Sequence, residues 1–363
     1  MIGAMERIRS WFNRWDRGLL IAEALLVLIS ILAMVSAATT VSTRLVLRHA
    51  WWMVAGIITH IAIAQTNYRR WVDAGLILYA LALIALLLVE FTGSLRLGAT
   101  RWLSIFGFSF QPSELAKLAT VLWLSRLLAG AQTPLSMRDL GIAAVMAGVP
   151  MALILDQPDL GTASVIGAIM LGMLWVAGVS SGLVVIASAV GLLLSPLGWF
   201  FLKEYQRTRM LIFINPAIDP LGAGYTIIQS IIAIGSGRLT GRGWRAGTQS
   251  QLNFIPEHHS DFIFSVIGEE WGMLGCLLVV AAFGILLWRM IHIASAAVDP
   301  QARLLATGLF SWIAYQAIVN MGMVMGLLPV VGVPLPFISY GGSSMLMLWI
   351  ALGLLQSICR EQK

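Results

Sequence analysis

Apolar runs, each ended by a short polar or Gly/Pro-bearing stretch, recur along almost the whole chain. A helix needs about 20 apolar residues to cross the hydrocarbon of a bilayer. Ten runs approach or reach that length: 18–38, 49–65, 71–91, 112–130, 140–156, 161–179, 181–201, 262–289, 303–326 and 343–358. The predicted fold is an all-α integral membrane protein with about ten transmembrane helices, forming a single membrane domain over 1–363. One long polar connection, about 202–261, separates spans seven and eight. A membrane β-barrel is excluded, because its strands alternate over about 10 residues. Neither an internal repeat nor a low-complexity tract is evident, which weighs against an inverted-repeat transporter.

Composition agrees with this picture. The chain has 363 residues, 59% hydrophobic and 11% charged, with a mean hydropathy of +0.87; a soluble domain carries roughly a quarter charged residues. The net charge of +6 is almost all arginine, since Lys117, Lys203 and Lys363 are the lysines. Such an excess fits cytoplasmic loops over anionic membrane lipids and implies no nucleic-acid partner. Cys276 and Cys359 suggest no disulfide. The first apolar run exceeds a signal-peptide core and is expected to be a retained anchor.

Charge sets the orientation. Arg7, Arg9, Arg14 and Arg17 precede the first span, among Ile8, Trp11, Phe12 and Trp15, in a stretch expected to lie on the membrane surface. Arg69, Arg70, Arg126, Arg138, Arg289, Arg303, Arg360 and Lys363 fall on that same side, which the positive-inside rule makes cytoplasmic. Arg44, Arg48, Arg96 and Arg101 fall on the other side. Both termini are then cytoplasmic, and 39–48, 92–111, 157–160, 202–261 and 327–342 face outward. In the long outer connection, Ile227, Ile228, Ile231 and Ile232 repeat at helical spacing opposite Gln229 and Ser230, predicting an amphipathic helix at the outer interface.

The candidate chemistry gathers outside. Asp261 follows Pro256, Glu257, His258, His259 and Ser260 at the mouth of the eighth span. It reads as a helix N-cap or as a functional carboxylate. Asp261, Ser265 and Glu269 fall near one helical face, roughly 12 Å end to end. Burying a glutamate costs several kcal/mol unless it is paired, so that face is expected to look into a polar cavity; Glu270 lies beside it. Glu114 and Lys117 stand at i,i+3 after Gln111-Pro112-Ser113, as a surface pair or as cavity lining. Arg101, before Trp102, and Arg48 suit phosphate oxygens or interfacial anchoring. Asp159, next to Gln157-Pro158 and before Gly161, reads as a turn or cap residue or as a site residue. His258 and His259 lack a strong metal-ligand spacing. Leu328-Pro329, Gly332, Pro334, Pro336 and Ser339-Tyr340-Gly341-Gly342-Ser343-Ser344 predict a re-entrant loop lining a cavity.

Several stretches together resemble the SEDS family, the RodA, FtsW and SpoVE proteins. They are Asn320, Gly326-Leu327-Leu328-Pro329, Gly332-Val333 and Phe337 to Ser344, with ATRW at 99–102, QPSELAK at 111–117, QPDLGT at 157–162 and PEHHSDFIFSVIGEE at 256–270. GTQSQLNFIPE, ahead of the aspartate, is more similar to RodA than to FtsW. The resemblance implies a peptidoglycan glycosyltransferase of the cell elongation machinery in the cytoplasmic (inner) membrane. Such an enzyme polymerises lipid II into nascent glycan beside a class B penicillin-binding protein and other elongation-complex proteins. It also implies that Asp261 is catalytic and that Arg101, Glu114, Lys117 and Asp159 are functionally sensitive. RodA proteins often carry Arg where this chain has His258 and Thr where it has Ser260.

The chemistry expected on that basis is one inverting displacement. Asp261 takes the proton from the acceptor's 4-hydroxyl, and Arg101 with Lys117 or Arg48 steadies the departing diphosphate. Glu114 orients Lys117, Asp159 supports the cavity wall, and Ser339 joins the substrate-binding set. A divalent cation (Mg or Mn) bridging carboxylate and phosphate is a further expectation. Two rivals are a lipid II flippase and a non-catalytic membrane scaffold for a penicillin-binding protein. The first requires charges reachable from both faces; the second leaves Asp261, Glu114 and Lys117 replaceable.

Overall fold

The computed structural model describes residues 15–39, 41–96, 99–105, 108–132, 135–180, 204–220 and 222–362, with isolated positions between 181 and 190. The predicted seventh span and the basic stretch ahead of Trp15 lie outside the described residues. Every other predicted span is a helix. These are α1 (Arg17–Thr39), α2 (Thr43–Gln65), α4 (Gly75–Thr92), α5 (Pro112–Ala129), α6 (Met137–Asp156), α7 (Leu160–Val176), α11 (Ile263–Ala296), α12 (Pro300–Val324) and α13 (Gly342–Glu361). Shorter helices are α3 (Tyr68–Asp73), α8 (Glu204–Ile214), α9 (Ala223–Ser236) and α10 (Thr248–Gln251). Among the described residues α1, α2, α6, α11, α12 and α13 are long and apolar enough to cross a membrane, and α4, α7 and α9 are shorter apolar helices. The chain is a multi-pass membrane protein.

Between membrane helices apolar surface gives no driving force against lipid, so close packing decides the arrangement. α12 is the central element, buried along most of its length and packed against α5, α7 and α11. A side chain at Gly308 would strike Val121 of α5 and Met173 of α7. α13 lies along α2, with the Trp349 indole over Gly56 and Gly353 against the His60 carbonyl.

Four features depart from, or sharpen, the sequence expectation. First, the outer connection before α5 is not all loop: β1 (Ser94–Arg96), β2 (Ala99–Ile105) and β3 (Phe108–Phe110) form an antiparallel meander, with Leu103 opposite Phe110. β1 and β3 are too short to show alternation, and β2 (ATRWLSI) does not alternate strictly between apolar and polar positions.

Second, α11 is broken at Gly272, where φ is +66°. The freed backbone groups are taken up by the preceding loop. Met273 and Leu274 N–H donate to the Arg238 and Leu239 carbonyls, while Arg242 and Gly243 N–H donate to the Glu269 and Glu270 carbonyls.

Third, the face of α11 bearing Ser265 and Glu269 does not look into a cavity. Glu269 is fully buried and accepts from the N–H groups of Gln249 (2.8 Å) and Ser250 (2.9 Å) and from the Ser250 hydroxyl. Its neighbour Glu270 accepts from Ser36 Oγ (2.6 Å) and Gln251 Nε2 (3.0 Å). The two carboxylates clamp α10 and the end of α1 onto α11, which supplies the pairing their burial requires.

Fourth, α9 turns its small residues inward. Gly224, Ile227, Ser230, Ala233 and Gly237 are buried, with Ser230 Oγ donating to the Val324 carbonyl at 2.7 Å, while Ile231 and Ile232 are exposed. Ile231 and Ile232 thus lie on the outer side while Ile227 packs inward, and at Gly237 the Gly268 carbonyl leaves no room for a side chain.

The predicted re-entrant segment is irregular backbone over 327–341, exposed at Leu327 and buried from Leu335 to Ser339. Non-helical backbone at this depth needs partners from the protein. The Gln316 amide of α12 donates to the Pro334 carbonyl (2.9 Å), Ser30 Oγ to that of Ile338 (3.3 Å), and Tyr340 N–H to that of His259 (3.0 Å).

Candidate active site

Asp261 lies in the turn ahead of α11, not within it. The helix begins at Ile263 with Phe262 in the cap position and no side-chain cap, so the cap role open to Asp261 in the sequence goes unused. Its backbone is fixed from two sides. Asn320 of α12 donates to the Asp261 carbonyl (2.8 Å) and to the Val333 carbonyl (2.7 Å), tying the turn to the re-entrant segment. Ser339 donates to the Ser260 carbonyl (2.6 Å) and accepts from Leu335 N–H (2.8 Å). Ser339 therefore holds the backbone next to Asp261.

The carboxylate points toward Gly332, whose φ is +71°. A side chain there would stand 3.5 Å from Asp261 Oδ2 and 3.9 Å from Arg209 Nη1. Glycine at 332 thus supplies a conformation that other residues rarely adopt and leaves space in which a carboxylate and a guanidinium converge. Arg209 reaches this point from α8, donating to the Val330 carbonyl at 3.5 Å. Beside it a small cleft is lined by Pro158, Gln206, Met210 and Pro329. Burial raises the Asp261 carboxyl to about 6, with the Glu257 and Asp159 charges acting in the same direction and Arg209 and Arg101 opposing. A carboxylate so tuned is suited to accept a proton near neutral pH.

Asp159 and Arg101 form the neighbouring wall. Asp159 caps α7, accepting from Thr162 N–H (3.1 Å) and Oγ1 (3.0 Å), and its Oδ2 lies 3.8 Å from Arg101 Nη1. Arg101 also donates to the carbonyls of Gln157 (2.8 Å) and Pro158. β2 carries Arg101 to this turn, so the sheet has a positioning role. Asp159 is cap and ion-pair partner at once.

Glu114 and Lys117 are placed deeper. Lys117 Nζ donates to Glu114 Oε1 (2.7 Å) and Gln316 Oε1 (3.2 Å), and lies 4.8 Å from the Trp312 ring centre. Both side chains are shut away, Lys117 1% exposed and Glu114 2%. Through Gln316 the pair connects to the Pro334 carbonyl, and so to the segment that Asn320 ties to Asp261. Arg48 stands exposed on α2, outside this chain of contacts.

Two sets of residues went unseen in the sequence. Arg209 sits in the polar run Gln206-Arg207-Thr208-Arg209, where one more charge carries no signal. Glu23 and His60 form a buried pair between α1 and α2, 3.7 Å apart. They stand in different spans, and no local pattern pairs them.

The family model described as cell cycle protein, for FtsW, RodA and SpoVE, matches residues 15–363. The chain belongs to this family. It is 40% identical over 354 residues to the peptidoglycan glycosyltransferase MrdB of Escherichia coli K12, covering 96% of each chain. Identity is 36% over 318 residues with stage V sporulation protein E of Bacillus subtilis, covering 85% of each. With a probable peptidoglycan glycosyltransferase FtsW of Geobacter metallireducens it is 34% over 364 residues, covering 97% of this chain and 96% of that one. In structure, the chain matches one from a peptidoglycan synthase complex that coordinates polymerization and crosslinking. There the TM-score is 0.83 at 31% identity, over 96% of this chain and 98% of that one. The rod shape determining protein RodA of Thermus thermophilus matches at TM-score 0.73 and 28% identity, over 96% and 97%.

Proposed function

We propose that this protein is a peptidoglycan glycosyltransferase that polymerises lipid II into β-1,4 glycan at the outer face of the cytoplasmic membrane, with Asp261 as general base. The observation that carries the reading is the convergence of the Asp261 carboxylate and the Arg209 guanidinium at Gly332. It is supported by relatives that bear this activity in their names. The acceptor's 4-hydroxyl gives its proton to Asp261 as its oxygen attacks the anomeric carbon of the donor. The C–O bond to the diphosphate breaks on the opposite face, which inverts the configuration. Arg209 faces the developing negative charge of the leaving group, and Arg101 adds positive potential from the adjoining wall. Glu114, Lys117 and Gln316 act behind the site by fixing the re-entrant segment.

Among the described residues no three His, Cys, Asp or Glu side chains cluster as metal ligands. By analogy with the synthase complex that it matches, we assign it a crosslinking partner of the class B penicillin-binding type, within the elongation machinery. Both termini are placed in the cytoplasm and Asp261 outside. The test is incubation of labelled lipid II with the purified protein and its partner. Long products cleaved by a β-1,4-specific muramidase are expected. Transfer of lipid II across a vesicle without polymer would contradict the proposal.

A further inference from the structure

His258 is 2% exposed and lies three residues before Asp261. Its Nδ1 is 2.9 Å from the Ile255 carbonyl oxygen, and its Nε2 is 2.9 Å from the Ala37 carbonyl oxygen. A carbonyl oxygen can only accept, and a neutral imidazole has a single N–H. In the neutral ring one of these contacts would set a nitrogen lone pair against an oxygen lone pair. Only the doubly protonated ring donates to both. Ala37 lies in the last turn of α1, where the end of the helix favours a cation.

We propose that His258 is a positioning residue held as the imidazolium, which ties the turn carrying Asp261 to the end of α1. This rests on the reading of Asp261 as the base. Among the described residues, the ionisable groups near the ring lie on its own turn and on the segment around Tyr340. His259 meets it edge-on with ring centres 5.8 Å apart, and burial holds His259 below the ordinary histidine range, which limits its competing charge. Glu257 lies 3.7 Å from His259, and Tyr340 packs 6.0 Å from the same ring. Asp261 shares the turn. From α1, Ser36 adjoins Ala37 and hydrogen-bonds Glu270.

Loss of one proton gives up one of the two tethers, leaving the turn joined either to itself through Ile255 or to α1 through Ala37. Asp261 must lose its proton to act as the base, and the double tether needs hydrogen on both ring nitrogens of His258. A permanent cation with several donors removes the second requirement.

The test uses the full chain in nanodiscs with ¹⁵N-labelled histidine, comparing the wild type with His258→Gln to assign the ring. Two protonated ring nitrogens at pH 7 are expected; one protonated and one bare nitrogen would overturn the proposal. Lipid II polymerisation is then followed against pH. His258→Gln is expected to lower kcat roughly tenfold to a hundredfold, the cost of a small misplacement of a reacting group. His258→Arg should flatten the alkaline limb of the wild type while leaving the acid limb in place. An alkaline limb unchanged in His258→Arg would also count against the proposal. Absence of polymer from the wild type at every pH would sink the transferase reading alone, since the ¹⁵N signals need no turnover.

Discussion

At the residue scale, Asp261 sits in a conflict between burial and charge. Burial raises its carboxyl from 3.8 to about 6, so a base at this position is half protonated near pH 6. Polymerisation should fall about tenfold for each pH unit below that point, read as kcat/KM against pH. The same shift has a stability consequence of opposite direction. A carboxyl whose folded-state value is raised contributes stability at low pH, and that stability is lost as pH rises from about 4 through 6. At pH 7 the ionised group is a net cost. Asp261→Asn should therefore raise the unfolding temperature in detergent while abolishing synthesis, with a gain of no more than about 3 kcal/mol. A destabilised Asn variant would mean the carboxylate is structural.

Lys117 gives a complementary case. Replacing it with Met leaves Glu114 buried without its cation, at a cost of about 3–5 kcal/mol. The double replacement Glu114→Gln/Lys117→Met should recover much of that loss in a thermal melt. Glu114, Lys117 and Asp261 were legible in the sequence because a charge inside or at the mouth of an apolar run is conspicuous. Arg209 was not, because it is one arginine in a polar stretch. What singles it out is where α8 lies against Gly332, which no local pattern encodes.

At the element scale, the break in α11 and the segment 238–243 form one unit. Neither half satisfies its backbone without the other. A side chain at Gly272 would meet the backbone of Gly241 at 2.3 Å and that of Leu239 at 2.7 Å, at a positive φ. Gly272→Ala should cost at least about 1–3 kcal/mol through strain alone. It should also raise hydrogen exchange at residues 238–243, with little change in α12. Equal exchange in both segments would show that the break is not held by that loop. The helices were readable because each needs about twenty apolar residues. The kink was not, since a single glycine in an apolar run has many uses. Glu269 was misread for a related reason. Its position on α11 was correct, but its partner, the N-terminal end of α10, comes from a loop whose path depends on Gly237 packing against Gly268.

For the whole molecule, the arrangement requires the re-entrant segment and the α11–α12 turn to lie on opposite sides of the membrane. Leu327 is 66% exposed and Val298 is 86% exposed, so both can be tested as cysteines. In cells, Leu327→Cys should react with a membrane-impermeant maleimide, whereas Val298→Cys should react only after permeabilisation. The reverse pattern would place Asp261 in the cytoplasm. Given the predicted orientation, α12 links the deep pair at Glu114 and Lys117 to the outer turn through Gln316 and Asn320, one helical turn apart on the same face. The central claim is that this scaffold serves a base at Asp261. Its most direct measurement is polymerisation of labelled lipid II by the purified protein with its partner, wild type against Asp261→Asn, at pH 7.5. Long glycan from the wild type and none from an Asn variant that melts no lower is the predicted result. Near-normal glycan from that folded Asn variant would contradict the account.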